Sequence, residues 1–391
     1  METAATAFDL LLSAEISAAR VEGLLRADAV LAAQWRAEAA VAEAVASIGL
    51  EDVRLAEGDL LARIADSRAQ GVDAPAVEDA LAVLRFLRAP GDPLADPAGV
   101  LDRIDRLARR DQPAEEGLSP EDLRDVFAGC IGRTPLLEAL RASALYAALT
   151  LRRSPVAERM VFVAADHAAR RIGPGRAGGS TSGDPLRGLG GRVAADWIAL
   201  PSLALTRGRF SIWSPGSAEG ARRIVEGLRA CFEFELGKVI GIRSWQERLR
   251  AAGQGRHGRS RLADAGQAFG LEPVMTARVL AARIGVTPRG ALNLLGELEG
   301  QGLVREITLR RAARIWATPG LAEKLAGARS ARSQPRPRID GGKPALAPEF
   351  MARDLGPRPL REEGQEAVRR ALAEFDRVLS EVDGILAKRS E

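Results

Sequence analysis

Residues 277–296 read ARVLAARIGVTPRGALNLLG, and this stretch decides the fold of the C-terminal third of the chain. Ala281 supplies the small side chain that two helices need where their backbones touch. Gly285 suits a turn with positive φ, where a Cβ would be strained. Thr287 predicts the N-cap of the second helix, and Pro288 fits its first turn. The pattern predicts a helix-turn-helix whose shared core contains Leu280, Ile284, Val286, Ala291 and Leu294. An ordinary helical hairpin is the alternative interpretation.

The residues that follow predict a small β-hairpin. GLVREIT (302–308) and RIWAT (314–318) have the composition of two short strands, and LRRAA between them is a basic turn. Such a hairpin is the wing of a winged helix-turn-helix domain. Leu303 and Trp316 are expected to lie in the core of this wing.

This arrangement predicts a surface for duplex DNA. The second helix would enter the major groove with its N-terminal half, and the wing would lie on a neighbouring phosphate backbone. Arginine pairs bidentately with guanine and asparagine with adenine, so the predicted base contacts are Thr287, Arg289 and Asn293. The predicted phosphate contacts are Arg305, Arg310, Arg311 and Arg314. The alternative for each of these residues is a solvated charged face.

Charge is distributed unevenly along the chain. Residues 243–361 contain 22 Lys/Arg and 10 Asp/Glu, a balance of +12, whereas residues 1–242 have a balance of −5 and residues 362–391 one of −3. Arginine and alanine are abundant throughout, as in GC-rich genomes, but a composition bias acts on all segments alike. The segregation therefore indicates that the segment 243–361 faces a polyanion.

Length and composition predict a mainly α protein of several domains. The chain has 391 residues, of which 46% are hydrophobic and only 4% aromatic, so its cores are expected to consist of packed aliphatic helices. We predict a helical body at 1–250, a basic linker at 251–270 and the winged helix-turn-helix at 271–325. A disordered basic linker at 326–358 and an amphipathic helix at 359–391 follow.

The C-terminal helix has a heptad-like apolar stripe, formed by Val368, Leu372, Phe375, Leu379, Val382 and Leu386. This stripe favours a coiled coil, and hence a homodimer, or docking of the helix on the helical body. The two interpretations have equal weight. Dimers are common among proteins that bind two-fold symmetric operators.

Several classes of site are poorly supported by the sequence. With two histidines and two cysteines, the chain lacks the ligands of a multi-ligand zinc or iron–sulfur site, and we predict no metal and no cofactor. GPGRAGGS (173–180) resembles a phosphate-binding loop, but Gly179 stands where the lysine is required. His167 is expected at a helix end or at the surface. No apolar run is long enough to span a bilayer and the N-terminus does not resemble a secretory signal, so a cytoplasmic location without membrane attachment is expected.

Two further stretches resemble Fic-domain proteins. The Fic hallmark H-P-F-x-[DE]-G-N-G-R corresponds to DPLRGLGGR at 184–192, in which Pro185, Gly191 and Arg192 match. Asp184 replaces the histidine that acts as the base in that family, and Gly188 and Gly190 replace the acidic metal ligand and the asparagine. SIGLED at 47–52 resembles the inhibitory motif [ST]-x-x-x-E-[GN] except in its last position. The chain is also similar to uncharacterised helix-turn-helix proteins found on rhizobial plasmids.

The Fic resemblance implies a helical body that has lost its chemistry, because transfer of AMP needs the imidazole base and the metal-binding carboxylate. We therefore expect a DNA-binding protein that is not an enzyme, acting as a transcriptional regulator or a plasmid-associated factor. The alternatives are a Fic-type nucleotidyltransferase with an altered loop, and an adaptor that binds RNA or protein.

Overall fold

The computed structural model describes residues 2–65, 74–107, 118–128, 134–150, 154–172, 196–210, 212–254, 261–307 and 314–324. Met1–Glu323 form one compact unit, and Lys324–Glu391 are assigned to a second. The predicted linker at 326–358, the predicted helix at 359–391 and its apolar stripe lie outside the described residues.

The prediction of a mainly α protein is confirmed. The N-terminal part contains α1 (Glu2–Ala27), α2 (Ala29–Gly49), α3 (Glu57–Ala65), α4 (Ala74–Arg88), α5 (Pro97–Asp105), α6 (Pro120–Ala128), α7 (Pro135–Leu149), α8 (Pro155–Ile172) and α9 (Pro201–Arg207). The C-terminal part contains α10 (Ala218–Gly253), α11 (Leu262–Leu271), β1 (Val274–Thr276), α12 (Ala277–Ile284), α13 (Pro288–Gly300), β2 (Arg305–Glu306) and β3 (Ile315–Ala317).

Side-chain caps define where several of these helices begin. The carboxylate of Asp28 accepts hydrogen bonds from the amides of Val30 and Leu31, which separates α1 from α2. Ser217 caps α10 by accepting a hydrogen bond from the amide of Gly220. Each cap satisfies amides that the first turn of a helix leaves without a partner.

Helix α8 lies in the middle of the body and carries buried charges. Asp166 is fully buried, and its Oδ2 atom accepts hydrogen bonds from the amides of Ile198 and Ala199, at 2.9 and 3.2 Å. Its Oδ1 atom accepts one from Nε of Arg170 at 2.9 Å. The expectation for His167 is wrong: this side chain is only 3% exposed, and its Nδ1 accepts a hydrogen bond from the amide of Asp196. These contacts fix the segment that leads into α9.

The predicted linker at 251–270 is corrected in part. Residues 251–253 end α10, and 262–271 form α11, in which Leu262, Ala265 and Phe269 are buried. Gly266 allows α11 to approach α10 closely, because a Cβ at this position would lie 2.1 Å from Cδ1 of Leu249. Residues 255–260 lie outside the described part of the chain.

The strands form one antiparallel sheet in the order β1-β3-β2. Met275 pairs with Trp316 between β1 and β3, and Glu306 pairs with Trp316 between β2 and β3. The central strand β3 is buried along its whole length. Strands β2 and β3 fall where the sequence predicts them, whereas β1 was not predicted.

Candidate nucleic-acid interface

The turn between α12 and α13 has the backbone that the sequence predicts. Gly285 ends α12 with φ 68° and ψ 39°, the left-handed region that favours glycine. The amide of Val286 donates to the carbonyl oxygen of Ala281 at 3.0 Å. Oγ1 of Thr287 accepts a hydrogen bond from the amide of Gly290 at 3.1 Å, so the predicted N-cap of α13 is present. The hydroxyl proton of Thr287 is still available to an acceptor outside the chain.

The core between these helices differs slightly from the predicted one. Leu280, Ala281 and Ala291 are buried, as are Leu295 and Leu298. The predicted core residues Ile284, Val286 and Leu294 are only partly buried and pack against this cluster. The core register of α13 is therefore centred on Leu295 rather than on Leu294.

The outward face of α13 is open to solvent. Arg289 and Asn293 are both exposed and lie four residues apart, so they share one face of the helix. Leu292 beside them is 40% exposed, which the sequence analysis did not note. A Cβ on Gly296, one turn further along, would meet no atom within 4 Å. This face therefore carries two side chains that can form hydrogen bonds, Arg289 and Asn293, and one apolar side chain, Leu292. At Gly296 it carries no side chain.

The wing arginines differ in their surroundings. Arg305 on β2 is exposed. Arg314 instead forms an ion pair with Glu306 across the hairpin, and its guanidinium lies 4.8 Å from the ring centroid of Trp316. The hydrogen bonds with Glu306 raise the pKa of Arg314. Arg310 and Arg311 lie outside the described residues.

Glu299, near the end of α13, has a role that no motif in the sequence indicates. Its Oε1 accepts a hydrogen bond from the amide of Glu306 at 3.1 Å, and its Oε2 accepts one from Nε1 of Trp316 at 3.4 Å. Glu299 therefore ties α13 to both β2 and β3. The predicted burial of Leu303 and Trp316 is confirmed, with 2% and 1% of their surfaces exposed.

The helical body contributes to the same core. Trp245 and Leu249 on α10 pack into the cluster formed by α11, α12, α13 and the sheet. Nε1 of Trp245 donates a hydrogen bond to the carbonyl oxygen of Leu303 at 2.7 Å. Oγ1 of Thr318 donates to Oε1 of Glu38 on α2 at 3.2 Å. A core shared in this way holds α12 and α13 firmly against the body.

A buried acid lies where the body meets α12. Glu272 is 7% exposed, and its Oε2 is 3.2 Å from Nη1 of Arg283. Burial raises the pKa of Glu272, while the charges of Arg283 and Arg88 oppose this shift. Arg88 is the last residue of α4. Its charge therefore acts on Glu272, just before β1 and α12.

Three arginines of this region remain without an ionic partner in the described part of the chain. They are Arg278 in the first turn of α12, Arg289 in the first turn of α13 and Arg305 on β2, and all three are exposed. Arg283 and Arg314, in contrast, each have an acidic partner. Among the described residues 271–324, the exposed arginines without an acidic partner thus lie on the first turns of α12 and α13 and on β2.

One of the two Fic-like stretches lies within the described residues. The stretch 184–192, with Asp184 in place of the histidine, lies outside the described residues. The second stretch covers the end of α2, where Oε1 of Glu51 accepts a hydrogen bond from Arg159 at 2.9 Å. Arg159 is 1% exposed and also donates to the carbonyl oxygen of Ser47. Glu51 is therefore part of a buried ion pair that fixes the end of α2.

Other classes of site and relatives give no further indication. The described residues contain no group of three His, Cys, Asp or Glu side chains placed to hold a metal ion. None of the helices in the described ranges has both the length and the apolar character that a membrane crossing requires. Neither a protein-family model nor a curated protein sequence matches this chain.

Proposed function

We propose that this protein binds duplex DNA through a winged helix-turn-helix formed by α11, β1, α12, α13, β2 and β3. The observation that carries the proposal is the outward face of α13, where Arg289 and Asn293 are exposed beside the left-handed turn at Gly285. A helix presented in this way fits the width of the major groove.

The order of the elements supports the proposal. A helix, a strand, two helices and a two-stranded hairpin follow one another, and the sheet order is β1-β3-β2. This is the layout of a winged helix-turn-helix domain. The short β1 anchors the hairpin beside α12, so that the wing projects next to the helix that enters the groove.

The side chains divide into two roles. Arg289 and Asn293 are the base-reading residues, to which we add Leu292 because an apolar side chain contacts the thymine methyl group favourably. Thr287, predicted as a base contact, caps α13 through its oxygen, and in this proposal its hydroxyl proton is donated to a phosphate instead. Arg305, Arg310, Arg311 and Arg314 bind phosphates and add affinity without sequence preference. Arg314 contributes less than Arg305 because Glu306 already neutralises it.

The helical body has a regulatory or assembly role in this proposal. With Asp184 in place of the Fic histidine, it does not transfer nucleotides. The protein acts as a transcriptional regulator or a plasmid-associated factor, and a homodimer presents two copies of α13 to the two halves of an operator. Incubation of a cell lysate with α-labelled ATP should give the same labelled proteins with and without the added purified chain.

A binding titration tests the DNA proposal. The full chain is required, because Trp245 and Leu249 belong to the core of the helix-turn-helix and a fragment that begins at residue 250 would lack them. Selection from a random duplex library should first give a preferred sequence, and fluorescence anisotropy should then give its affinity over a range of salt concentrations. Binding should weaken steeply as salt rises, since counterions are released from neutralised phosphates.

Three variants separate the two roles. Arg289→Ala should reduce the preference for the selected sequence over a scrambled one, and a lost bidentate contact is worth about 1–3 kcal/mol. Arg305→Ala should weaken both sequences alike and lower the salt slope by about one. Arg229→Ala, in an exposed ion pair on α10, is the matched control and should change neither. Salt-insensitive binding, or none, would contradict the proposal.

A further inference from the structure

A cavity of about 800 Å³ lies in the helical body, away from α12 and α13. It is bounded by the end of α2, one face of α4, the end of α5 and the start of α8. Cavities of about 300–1,000 Å³ hold small organic molecules in proteins. The helix-turn-helix contributes none of the described lining residues, so this cavity is separate from the proposed DNA surface.

The inner wall of the cavity is apolar. Ile48, Val83, Phe86 and Val156 line it and are themselves almost fully buried, with exposures of 3%, 1%, 2% and 8%. Their side chains are held by the core behind them, so the wall is preformed. Val53, Ala82 and Leu107 also line the cavity and are partly exposed, so a hydrocarbon or aromatic group that enters here replaces water against these three residues, which is favourable.

Arg103 on α5 provides a polar group without a hydrogen-bond partner. Its Nε is shielded from solvent, and no acceptor in the described residues takes its hydrogen bond. The closest carboxylate oxygen, on Asp96, is 3.9 Å from Nη2, which is longer than a hydrogen bond. The Nε itself is out of reach of a ligand, but the side chain is 34% exposed, so its Nη atoms can donate hydrogen bonds to a ligand oxygen. Arg106, one turn further on, is already bound by Asp102 through two hydrogen bonds.

The carboxylates around the cavity are largely compensated. Glu51 is bound by the buried Arg159 at 2.9 Å. Glu78 lies between Arg63 and Arg85, at 3.8 and 3.6 Å. Asp79 remains, and it is exposed at the rim on α4. Its charge repels an anion from the α4 side of the rim, which directs an anionic group towards Arg103.

We propose that this cavity binds a small organic carboxylate with an apolar body. The carboxylate accepts hydrogen bonds from the Nη atoms of Arg103, and the apolar body lies against Val53, Ala82 and Leu107. Guanidinium and carboxylate groups form strong charge-assisted hydrogen bonds, which supply the orientation. This inference does not depend on DNA binding, and its test does not measure DNA binding.

Calorimetric titration of the full chain with octanoate and 4-phenylbutyrate tests this inference. At least one of the two acids should bind saturably with one site per chain. The corresponding neutral amides, octanamide and 4-phenylbutanamide, have the same shape without the charge, and they should bind at least tenfold more weakly. Arg103→Gln should weaken the binding of the acids at least tenfold and leave the amides unchanged.

Two further variants keep the test decisive. Ala82→Phe places a ring into the cavity from α4, where Ala82 is only partly buried, and should abolish binding of acids and amides alike. It serves in place of Arg103→Gln if that variant does not fold, as judged by circular dichroism. Arg229→Gln on α10 is the charge-matched control and should bind like the wild type. The proposal is overturned if neither acid binds, if the amides bind as well as the acids, or if folded Ala82→Phe still binds.

Discussion

The indole Nε1 of Trp245 donates a 2.7 Å hydrogen bond to the carbonyl oxygen of Leu303, joining the long helix α10 to the turn that follows α13. Both residues are buried, at 4% and 2% exposure. Neither partner has access to water, so the bond fixes the end of α13 relative to the body. The helix proposed to read DNA is thus positioned by a residue 58 positions earlier in the chain.

We expect Trp245→Phe to destabilise the protein by about 1–3 kcal/mol, because it leaves the buried carbonyl oxygen of Leu303 without a donor. Urea unfolding of the full chain measures this change. Phe234→Leu is the comparison, since Phe234 is 51% exposed and its replacement should cost much less. Equal stability of Trp245→Phe and the wild type would show that the hydrogen bond contributes nothing.

Replacing Gly285 by alanine should cost about 1–2 kcal/mol, since φ of 68° places a Cβ against the backbone. Gly285→Asn should cost less because asparagine tolerates the left-handed region better. The thermal unfolding temperatures of both variants show which substitution destabilises the protein more. Gly296→Ala is the control in the opposite direction: nothing lies within 4 Å of the added Cβ, so alanine should stabilise α13 by about 1 kcal/mol.

Glu299 should contribute to the position of the wing through its bonds to Trp316 and to the amide of Glu306. Glu299→Ala should lower the stability by about 1–3 kcal/mol, because two donors lose their acceptor. A double-mutant cycle with Trp316→Phe measures the coupling between the two side chains. Strictly additive effects of the two substitutions would contradict a direct bond.

The carboxyl group of Glu15 on α1 should make the stability of the protein depend on pH. Burial raises its pKa from 4.5 to about 7, although Arg170 opposes this shift. The folded state therefore holds the proton more tightly than the unfolded state, and this contribution to stability, complete below about pH 4.5, is lost as the pH rises through 7. Glu15→Gln should be more stable relative to the wild type at pH 8 than at pH 5.

Urea midpoints at pH 5 and pH 8 measure the effect of Glu15→Gln. The glutamine retains an oxygen that accepts the hydrogen bond now donated by the amide of Leu136. Glu121→Gln, at an exposed position in the first turn of α6, is the control and should leave the pH profile unchanged. A profile of Glu15→Gln that runs parallel to the wild type would show that Glu15 does not titrate in this range.

The sequence predicts the local features of the C-terminal region because their causes are local. Gly285, Thr287 and Pro288 each act on the backbone within a turn, and their effects appear in the structure as expected. The burial of Leu303 and Trp316 follows from the short apolar runs in which they lie, Leu303–Val304 and Ile315–Ala317. The helical class follows from the low content of aromatic residues, which leaves aliphatic side chains to form the cores.

Features that depend on distant residues could not be predicted in this way. The strand β1 has three residues, too few for a periodic pattern, and it exists because β3 pairs with it. The glycines of α11 are typical of a linker sequence. Their role is seen only in the fold, where Leu249 of α10 packs against Gly266. The ion pair of Arg314 with Glu306 requires the register of the hairpin, so its effect on the phosphate contact was missed.

The sharing of Trp245 and Leu249 between α10 and the helix-turn-helix has a consequence for exchange of this region between proteins. A chimaera that receives only residues 271–323 would have a cavity in its core at the positions of these two side chains. A recombination boundary that keeps this core intact therefore lies before residue 245, within or ahead of the 36-residue helix α10, and not in the glycine- and arginine-rich stretch 253–261.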